Sequence, residues 1–248
     1  MVKIEGVSKI FNRHSADEIK ALNDVSIHIP NHEFVIVLGS NGSGKSTLLN
    51  ILAGVYAPDA GKIILQGTDV TAQPEHLRSR SISRVFQNPL SGTAAGLTVL
   101  ENFRMASLRT KNKSFTTGTG RKFRNTVKEK IAALGLGLEN KLDVPMGTLS
   151  GGQRQSLTLL MSVMDETKLL LMDEPASALD PKTAELVMQL AGKIIHENKL
   201  TAVLVTHQLR DAINYGDRIV MMSEGEIKKD VQKEEKAQLK AEDIFNWF

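Results

Sequence analysis

The sequence contains no cysteine, which excludes disulfide bonds and metal sites built on thiolates. This absence fits a reducing compartment. No apolar run approaches the roughly 20 residues that span a bilayer. The N-terminal stretch MVKIEGVSKIFNRHS also lacks the apolar segment of a secretory signal. If the protein works at a membrane, we expect another chain to hold it there.

The net charge is also small. The 31 lysines and arginines exceed the 28 acidic residues by only three, and the pI is about 9.0. This excess is too weak to indicate a nucleic-acid partner, and we expect none. The 248 residues, of which 41% are hydrophobic, provide a core of normal size for one large domain or two small ones.

Three segments near the N-terminus have the composition of half-buried strands. VKIEGVSKIF (2–11) and NDVSIHIP (23–30) alternate apolar and polar residues, and KIILQG (62–67) is similar. Alternate residues of a strand face opposite sides of a sheet, so one face would be apolar. These segments predict an antiparallel sheet.

Four other segments are short, continuous apolar runs followed by loops or helices. They are FVIVLG (34–39), KLLLMDE (168–174), AVLVTH (202–207) and RIVMM (218–222). Parallel strands that are buried on both faces have this composition. A helical stretch, 183–198, lies between two of these runs. The alternation of strands and helices predicts an α/β fold.

The middle of the chain, from about 90 to 165, contains no strong strand and predicts a mostly helical insertion. Its first helix is expected at 98–108, and a further helical segment at 128–135. The segment between them, 110–125, is basic and polar. We interpret it as a solvated loop, with a contact to lipid headgroups or to a partner as the alternative.

The C-terminal segment KAQLKAEDIFNWF predicts a short helix. Its last two aromatic residues, Trp247 and Phe248, are expected to dock on the surface of the same domain. A contact with a partner is the alternative for both side chains.

The segment GSNGSGKST matches the pattern G-x-x-x-x-G-K-[ST] of a phosphate-binding loop. It follows the apolar run FVIVL and precedes the helical stretch STLLNILAG, which is the context that this loop requires. Glycines let the backbone N–H groups approach phosphates, and the helix N-terminus adds partial positive charge. Lys45 can then reach the β- and γ-phosphates, and the Ser46 hydroxyl can bind Mg²⁺. The residues expected to contact the nucleotide are Gly39, Ser40, Asn41, Gly42, Ser43, Gly44, Lys45, Ser46 and Thr47.

Two carboxylates follow the apolar run at 169–172. Asp173 and Glu174 stand at the carboxyl end of a predicted buried strand, where open α/β sheets bind ligands. Adjacent residues on a strand point in opposite directions, so the two side chains are expected to have different roles. A phosphate-loop NTPase needs an acid to hold Mg²⁺ and a group to orient the attacking water. We assign Asp173 to the metal, directly or through water, and Glu174 to the attacking water, as general base.

Six motifs occur in an order that is typical of one family. They are GSNGSGKST (39–47), VFQNP (85–89), LSGGQRQ (149–155), LLLMDEP (169–175), SALD (177–180) and VTH (205–207). This order resembles the nucleotide-binding subunit of an ATP-binding cassette (ABC) transporter over nearly the whole chain, and LSGGQ is its most specific element. The resemblance implies an α/β fold in one ABC ATPase domain, 1–248. This implied domain has a P-loop NTPase core with a mostly parallel sheet, an N-terminal antiparallel β subdomain and a helical subdomain inserted at about 90–165.

The resemblance also implies that LSGGQ holds a nucleotide across a dimer. In ABC ATPases two copies pair head to tail, and the phosphate loop of one faces the LSGGQ of the other. Ser150 is expected to cap a helix, while Gly151 and Gly152 leave the helix N-terminus open to a γ-phosphate. Gln153 belongs to the same implied contact. The helix that follows carries an apolar stripe with helical spacing, formed by Leu157, Leu160, Met161 and Met164.

Four further roles follow from the family's motifs. Gln87 matches the glutamine that senses Mg²⁺ and water and relays to the membrane partner. His207 matches the histidine that contacts the γ-phosphate, and Asp180 the loop that communicates across the dimer. Phe11 lies where the family places an aromatic ring against adenine, although it could equally be a core residue.

The resemblance therefore implies an ATPase that uses ATP and Mg²⁺ and acts as a homodimer on integral-membrane permease subunits. We expect it at the cytoplasmic face of the membrane, in an uptake system with an extracytoplasmic substrate-binding protein. The helical region is similar to ATPases of systems for aromatic amino acids and related solutes. An export or lipoprotein-release ATPase is the alternative, and a soluble ABC protein acting on ribosomes or DNA is a further one.

Overall fold

Two sheets form the framework of the protein in the computed structural model, which describes residues 2–111 and 118–247. The strands are β1 (Val2–Phe11), β2 (Ile19–Ile29), β3 (Phe34–Leu38), β4 (Ala60–Leu65), β5 (Thr68–Asp69), β6 (Ile82–Val85), β7 (Leu169–Asp173), β8 (Thr201–Thr206), β9 (Arg218–Ser223) and β10 (Glu226–Val231). The α-helices are α1 (Lys45–Ala53), α2 (Glu75–Arg78), α3 (Val99–Ala106), α4 (Arg121–Ala132), α5 (Gly151–Ser162), α6 (Pro181–Glu197), α7 (Leu209–Asn214), α8 (Lys233–Lys236) and α9 (Ala241–Phe245). A 3-10 helix spans Met146–Thr148.

The N-terminal sheet is antiparallel and has the strand order β2-β1-β4-β5. The apolar residues of the alternating pattern are buried as expected, since Val2, Ile4 and Val7 of β1 are almost completely inaccessible to solvent. The three predicted strands are confirmed, and β2 begins earlier than expected, at Ile19. The two-residue β5 was not predicted, since so short a strand has no periodicity.

The second sheet has the order β10-β9-β3-β8-β7-β6, in which all pairs are parallel except that of β10 with β9. The four predicted parallel strands are confirmed, and every residue of β3 and β8 is buried. The sequence analysis missed β6 and β10. Strand β6 contains Ser83 and Arg84, and β10 is an edge strand with exposed lysines, so neither is a continuous apolar run.

The strand order places the functional motifs side by side. Strands β3, β8, β7 and β6 are consecutive neighbours in the sheet and run in the same direction. Their carboxyl ends therefore meet at one edge, and the chain leaves each of them into a segment that carries a motif. Ligands of open parallel sheets bind at this edge.

A helical insertion separates β6 from β7, and no strand is present between residues 86 and 168 in the described part of the chain. Helices α3, α4 and α5 enclose an apolar cluster of their own, with Phe103, Val127 and Leu157 fully buried. Thr98 caps α3 through a capping box with Glu101, which explains the start of the predicted helix.

The basic segment 110–125 is only partly the loop that we expected. Helix α4 begins at Arg121, so residues 121–125 are helical, and residues 112–117 lie outside the described residues. Phe123, Val127 and Ile131 have helical spacing and pack against the other two helices of the insertion. The packing of this apolar face stabilises the first turn of α4 as a helix, although the basic composition of that turn resembles a loop.

The C-terminal segment returns to the parallel sheet. Helix α9 forms as predicted, Ile244 is fully buried, and Trp247 packs against the core on the α6 side of the sheet. The ammonium of Lys229 lies 4.9 Å from the centre of the Trp247 ring. The expected docking of Trp247 is confirmed, while Phe248 lies outside the described residues. No helix in ranges 2–111 and 118–247 is long and apolar enough to cross a membrane.

Candidate functional site

A cleft of about 490 Å³ opens at the edge where the parallel strands end. It collects residues from both sheets, from the start of α1 and from the ends of β7 and β8. The lining residues are Phe11, Ile19, Ala21, Asn41, Gly42, Gly44, Lys45, Ser46, Thr47, Gln87, Asp173, Glu174 and His207. Ile19 and Ala21 are the two that the sequence analysis did not single out, because no motif marks them.

The phosphate loop fits tightly against the antiparallel sheet. Gly44 has a φ of 98°, and a Cβ atom at this position would lie 2.4 Å from the carbonyl oxygen of Ala21. Both the conformation and the space therefore require glycine. Gly44 is also the N-cap of α1 and provides no side-chain acceptor. The first N–H groups of α1 are left for a ligand, which makes this helix end suited to an anion.

Lys45 is only 6% exposed and points back into the loop. Its Nζ donates to the carbonyl oxygens of Gly39 at 2.9 Å and Ser40 at 2.7 Å. Burial lowers the pKa of Lys45, although the nearby carboxylates of Glu174 and Asp173 act in the opposite direction. A buried ammonium with two neutral acceptors is suited to an anionic ligand, which would compensate its charge better than carbonyl groups do.

Ser46 and Asp173 meet across the cleft although they are 127 positions apart in the chain. The Ser46 hydroxyl donates to Asp173 Oδ1 at 3.3 Å. Burial raises the pKa of Asp173, against the effects of this hydrogen bond and of Arg84. A hydroxyl and a carboxylate are ligands that Mg²⁺ accepts, and Mg²⁺ takes few protein ligands beside phosphates and water. This pair fits such an ion, although no cluster of three metal-binding side chains is found among the described residues.

Glu174 leaves the strand geometry that the sequence analysis assumed for it. Strand β7 ends at Asp173, and Glu174 has a φ of 43°, a left-handed conformation that is strained for a residue with a side chain. Its N–H donates to the carbonyl oxygen of Val205 at 3.0 Å. The expectation of opposite directions by strand alternation is wrong, since both carboxylates line the cleft. Their partners nevertheless differ, because Glu174 Oε1 lies 2.7 Å from His207 Nδ1.

Gln87 reaches the same site from the loop after β6. Its Nε2 donates to Ser177 Oγ at 3.1 Å, and that hydroxyl donates to the carbonyl oxygen of Glu174 at 3.0 Å. Ser177 therefore links the glutamine to the backbone of the acidic residue. The sequence analysis quoted Ser177 within SALD but gave it no role, because a serine after a strand is a weak signal.

Gln155 is a second residue that the sequence analysis missed. It is fully buried on α5, and its Nε2 donates to the carbonyl oxygen of Phe86 at 3.0 Å. Its Oε1 has no hydrogen-bond partner among the described residues. Because Phe86 precedes Gln87, this bond joins the helix after LSGGQ to the glutamine loop.

Phe11 lies at the end of β1, at the margin of the cleft. Its ring is partly exposed and packs edge-on against Tyr56, with the ring centroids 5.3 Å apart. It belongs to none of the buried apolar clusters. This position leaves an aromatic surface available to a flat ligand at the edge of the cleft.

The LSGGQ segment does not line the cleft. Ser150 caps α5 as predicted, with its Oγ accepting from the Gln153 N–H and the Gln153 side chain accepting from the Ser150 N–H, each at 3.3 Å. Gly151 lies against Leu179, just before α6, and Gly152 against Thr183 in the first turn of α6, where a Cβ atom at Gly152 would be 2.1 Å from the Thr183 methyl group. Asp180 caps α6 by accepting from the Thr183 N–H at 3.1 Å, and hydrogen bonds from Thr183 lower the pKa of its carboxyl.

The comparisons with known proteins agree with this geometry. The sequence profile of the ABC transporter family matches residues 22–177. The chain is 40% identical to a tyrosine transport ATP-binding protein of Clostridioides difficile, over all of this chain and 98% of that protein. It is 36% identical to a sulfate/thiosulfate import ATP-binding protein of Pseudomonas aeruginosa, over 92% of this chain and 65% of that longer protein.

A solved structure is similar to this protein over almost the whole chain. The ATP-binding cassette MJ0796, in a dimeric post-hydrolysis state bound to ADP and Pi, superposes with a TM-score of 0.80. The two chains are 30% identical, and the match covers 94% of this chain and 99% of the other.

Proposed function

Because the chain belongs to the ABC transporter family of ATP-binding proteins, we propose that it drives solute uptake by hydrolysing ATP in two sites shared between two copies of itself. Its import-type relatives and its structural neighbour with bound ADP and Pi support an ATP-hydrolysing subunit of an uptake transporter. The observation that carries the shared sites is that LSGGQ lies outside the cleft that holds every other phosphate-binding motif.

ATP enters the cleft with its triphosphate on the phosphate loop. The N–H groups at the start of α1 bind phosphate oxygens, and Lys45 exchanges the carbonyls of Gly39 and Ser40 for the β- and γ-phosphates. The adenine ring packs on Phe11 at the margin of the cleft.

Ser46 and Asp173 would hold Mg²⁺, with Gln87 at the same site. When bound, this ion supplies positive charge that offsets the negative charge of the β- and γ-phosphates. Burial of Asp173, which raises its pKa, leaves an ionised carboxylate short of compensating charge, and a cation at this position provides it.

Hydrolysis transfers the γ-phosphoryl group to water. Glu174 accepts a proton from the attacking water as the bond between the γ-phosphorus and the bridging oxygen breaks, which yields ADP and inorganic phosphate. The hydrogen bond from His207 orients the Glu174 carboxylate and places the imidazole near the γ-phosphate. Gln87 positions the water and, through Ser177, the turn that carries Glu174.

The second copy supplies the missing half of each site. The amide groups of Gly151 and Gly152 lie in the first turn of α5 and have no acceptor four residues earlier in that helix. In a head-to-tail dimer they face the γ-phosphate of the ATP on the other copy. ATP then joins the two subunits, and hydrolysis removes the bridge, so that the dimer reopens.

Permease subunits transmit this motion. A groove of about 280 Å³, here called the subdomain groove, separates the helical insertion from the parallel sheet. Its lining includes Arg84 and Phe86 close to Gln87, Met105 at the end of α3, Arg109 after that helix, and Met161 of α5. An apolar groove beside the glutamine loop is suited to a segment of the permease. We propose that the chain works at the cytoplasmic face of the membrane, where the permease subunits hold it.

The relatives favour uptake over export, and uptake systems of this kind use an extracytoplasmic substrate-binding protein. The similarity to a tyrosine transport ATP-binding protein makes an aromatic amino acid our proposed cargo. The permease and the binding protein contact the cargo, whereas the cleft of this chain is built for phosphate. Sequencing the neighbouring genes tests these partners, because an uptake system requires a permease and a secreted binding protein.

Mixing two inactive variants tests the shared sites. Lys45→Ala removes the phosphate-loop ammonium. Gly151→Asp places a carboxylate against the γ-phosphate, yet an acidic residue in the first turn of α5 is compatible with folding. Each variant alone is expected to be inactive. In a mixed dimer, one site combines the intact phosphate loop of one copy with the intact LSGGQ of the other.

Each mixed dimer has one intact site out of two and should therefore show up to about half of the activity of a wild-type dimer. Random pairing in an equimolar mixture makes about half of the dimers mixed, so the whole mixture should regain up to about a quarter of wild-type activity. A matched control carries both substitutions on one copy and is mixed with the Lys45→Ala variant, which leaves no intact site. If the two single variants remain inactive when mixed, although mixed dimers form, the shared-site arrangement is wrong.

A further inference from the structure

Positive charge is concentrated in one stretch of the chain. Residues 104–130 contain nine of the 31 lysines and arginines but only one of the 28 acidic residues, Glu129. The remaining 22 basic and 27 acidic residues give the rest of the chain a net charge of −5. The small net charge of the whole protein is therefore the sum of a strongly basic segment and an acidic remainder.

Helix α4 displays part of this charge to solvent. Its exposed residues include Arg121, Lys122, Lys128 and Lys130, which we call the basic face. None of these four forms a salt bridge with a described residue, whereas Arg124, near the buried side of the helix, is paired with Asp143. The apolar residues of α4 are turned into the helical insertion, so the basic face carries no part of the fold's core.

The helix that carries the basic face, α4, packs against α3, and α3 lines the subdomain groove. The guanidinium of Arg104 on α3 is 5.5 Å from the centre of the Phe123 ring, which brings the first turn of α4 against the end of α3. That end of α3 also lines the groove, through Met105 and Ala106, and Arg109 lines it from the segment that follows α3. If the groove receives the permease, as proposed above, the basic face is next to the point where the protein approaches the membrane.

We propose that the basic face contacts the anionic lipid headgroups of the membrane surface around the permease. Clusters of lysine and arginine bind anionic leaflets through electrostatic attraction. The cytoplasmic loops of membrane proteins carry an excess of positive charge, which opposes a basic partner. Lipid headgroups are therefore the complementary occupant at this position. The contact supplements docking in the groove and orients the helical insertion against the membrane.

Vesicle flotation with the purified full-length chain tests this contact. The triple variant Arg121→Glu, Lys122→Glu and Lys128→Glu reverses the charge of the basic face. Acidic residues are favourable at positions 121 and 122, at the start of α4, and Lys128 is an exposed residue later in the helix. A control variant makes the same charge change at exposed lysines elsewhere, with Lys62→Glu, Lys193→Glu and Lys199→Glu. Vesicles contain phosphatidylcholine alone or together with phosphatidylglycerol.

Wild type and control are expected to bind the phosphatidylglycerol vesicles and to dissociate at high salt. The triple variant should bind them at least about tenfold more weakly. Equal binding by all three proteins, or no preference of the wild type for phosphatidylglycerol, overturns the proposal. Loss of permease association by the triple variant in lipid-free detergent also overturns it, because the occupant would then be a protein. Wild-type ATPase activity, measured separately, reports on the proposed function alone.

Discussion

Glu174 is held in a left-handed backbone conformation next to His207, and this strained turn directs its carboxylate into the cleft. We predict that Glu174→Gln binds ATP with near wild-type affinity, because Lys45 and the start of α1 are unchanged. Its turnover should fall by roughly 10²- to 10⁴-fold, the usual contribution of a general base. ATP binding and phosphate release should be measured on the same preparation, and size-exclusion chromatography should show a dimer that persists with ATP.

The control for this substitution is Glu197→Gln, at the exposed end of α6, where the carboxylate is paired with Lys193. It removes the same charge without touching the cleft and should hydrolyse ATP at the wild-type rate. If Glu174→Gln also does so, Glu174 is not the general base.

A second prediction for a single residue concerns Asp211, in the first turn of α7. Burial raises the pKa of its carboxyl. An acid whose pKa is higher in the folded state binds its proton more tightly there, so the charged form reduces stability as pH rises through the folded pKa. Asp211→Asn should therefore raise Tm at pH 7, and the difference from wild type should disappear towards about pH 4. Thermal unfolding followed by circular dichroism at both pH values measures this.

Asp69 provides a control with the opposite sign. Hydrogen bonds from the side chain and backbone of Thr71 lower the pKa of its carboxyl. Its charged form therefore stabilises the fold above the unfolded pKa, so Asp69→Asn should lower Tm at pH 7. The burial argument for Asp211 is contradicted if Asp211→Asn lowers Tm at pH 7 as well.

Helix α5 connects two motifs that lie at different places on the protein. Its N-terminus carries the LSGGQ turn, while Gln155, in its second turn, donates to the carbonyl oxygen just before Gln87. We predict that Gln155→Leu lowers kcat about tenfold with little change in ATP affinity, because the glutamine loop loses this support. In a Gln87→Ala background the same substitution should have almost no further effect. Steady-state ATPase assays of wild type, the two single variants and the double variant complete a double-mutant cycle, which measures the coupling between Gln155 and Gln87.

Ser156→Ala is the matched control on the same helix. Ser156 is also buried, but its hydroxyl donates to the carbonyl oxygen of Gly152 within α5. It should change kcat little and combine additively with Gln87→Ala. Additive losses for Gln155→Leu and Gln87→Ala would mean that Gln155 acts through packing rather than through the glutamine loop.

At the scale of the whole molecule, the LSGGQ turn does not line the cleft that contains the phosphate loop. If the LSGGQ turn completes the site of a second copy, as proposed above, activity should depend on the pairing of two copies. We predict that ATPase activity per mole of protein rises with concentration and falls towards zero on dilution. A covalent tandem of two copies should retain its activity at every dilution, and phosphate release over a dilution series measures both proteins. Constant specific activity of a protein shown to be monomeric would contradict this arrangement.

Several elements could be predicted because their signal is local. The phosphate loop combines a spacing of glycines with a strand before it and a helix after it, and LSGGQ combines a cap with an apolar stripe. Helix α4 shows the limit of such reasoning. Its first turn is basic and resembles a loop, and only the packing of Phe123 beside Val127 and Ile131 makes it helical. Strand β6 was missed for a similar reason, since neighbouring strands rather than its own composition determine it.

The sequence by itself determined which residue types are available and in which local conformations, because glycine spacing, capping and periodicity act over a few positions. The tertiary structure decided which of them meet. Strand order brings Ser46 to Asp173 and Glu174 to His207, and the orientation of α5 keeps Ser150 out of the cleft. No local pattern encodes these outcomes, since each depends on the relative placement of elements that are far apart in the chain. This placement is the physical reason for the proposed dependence of the chain on a second copy of itself.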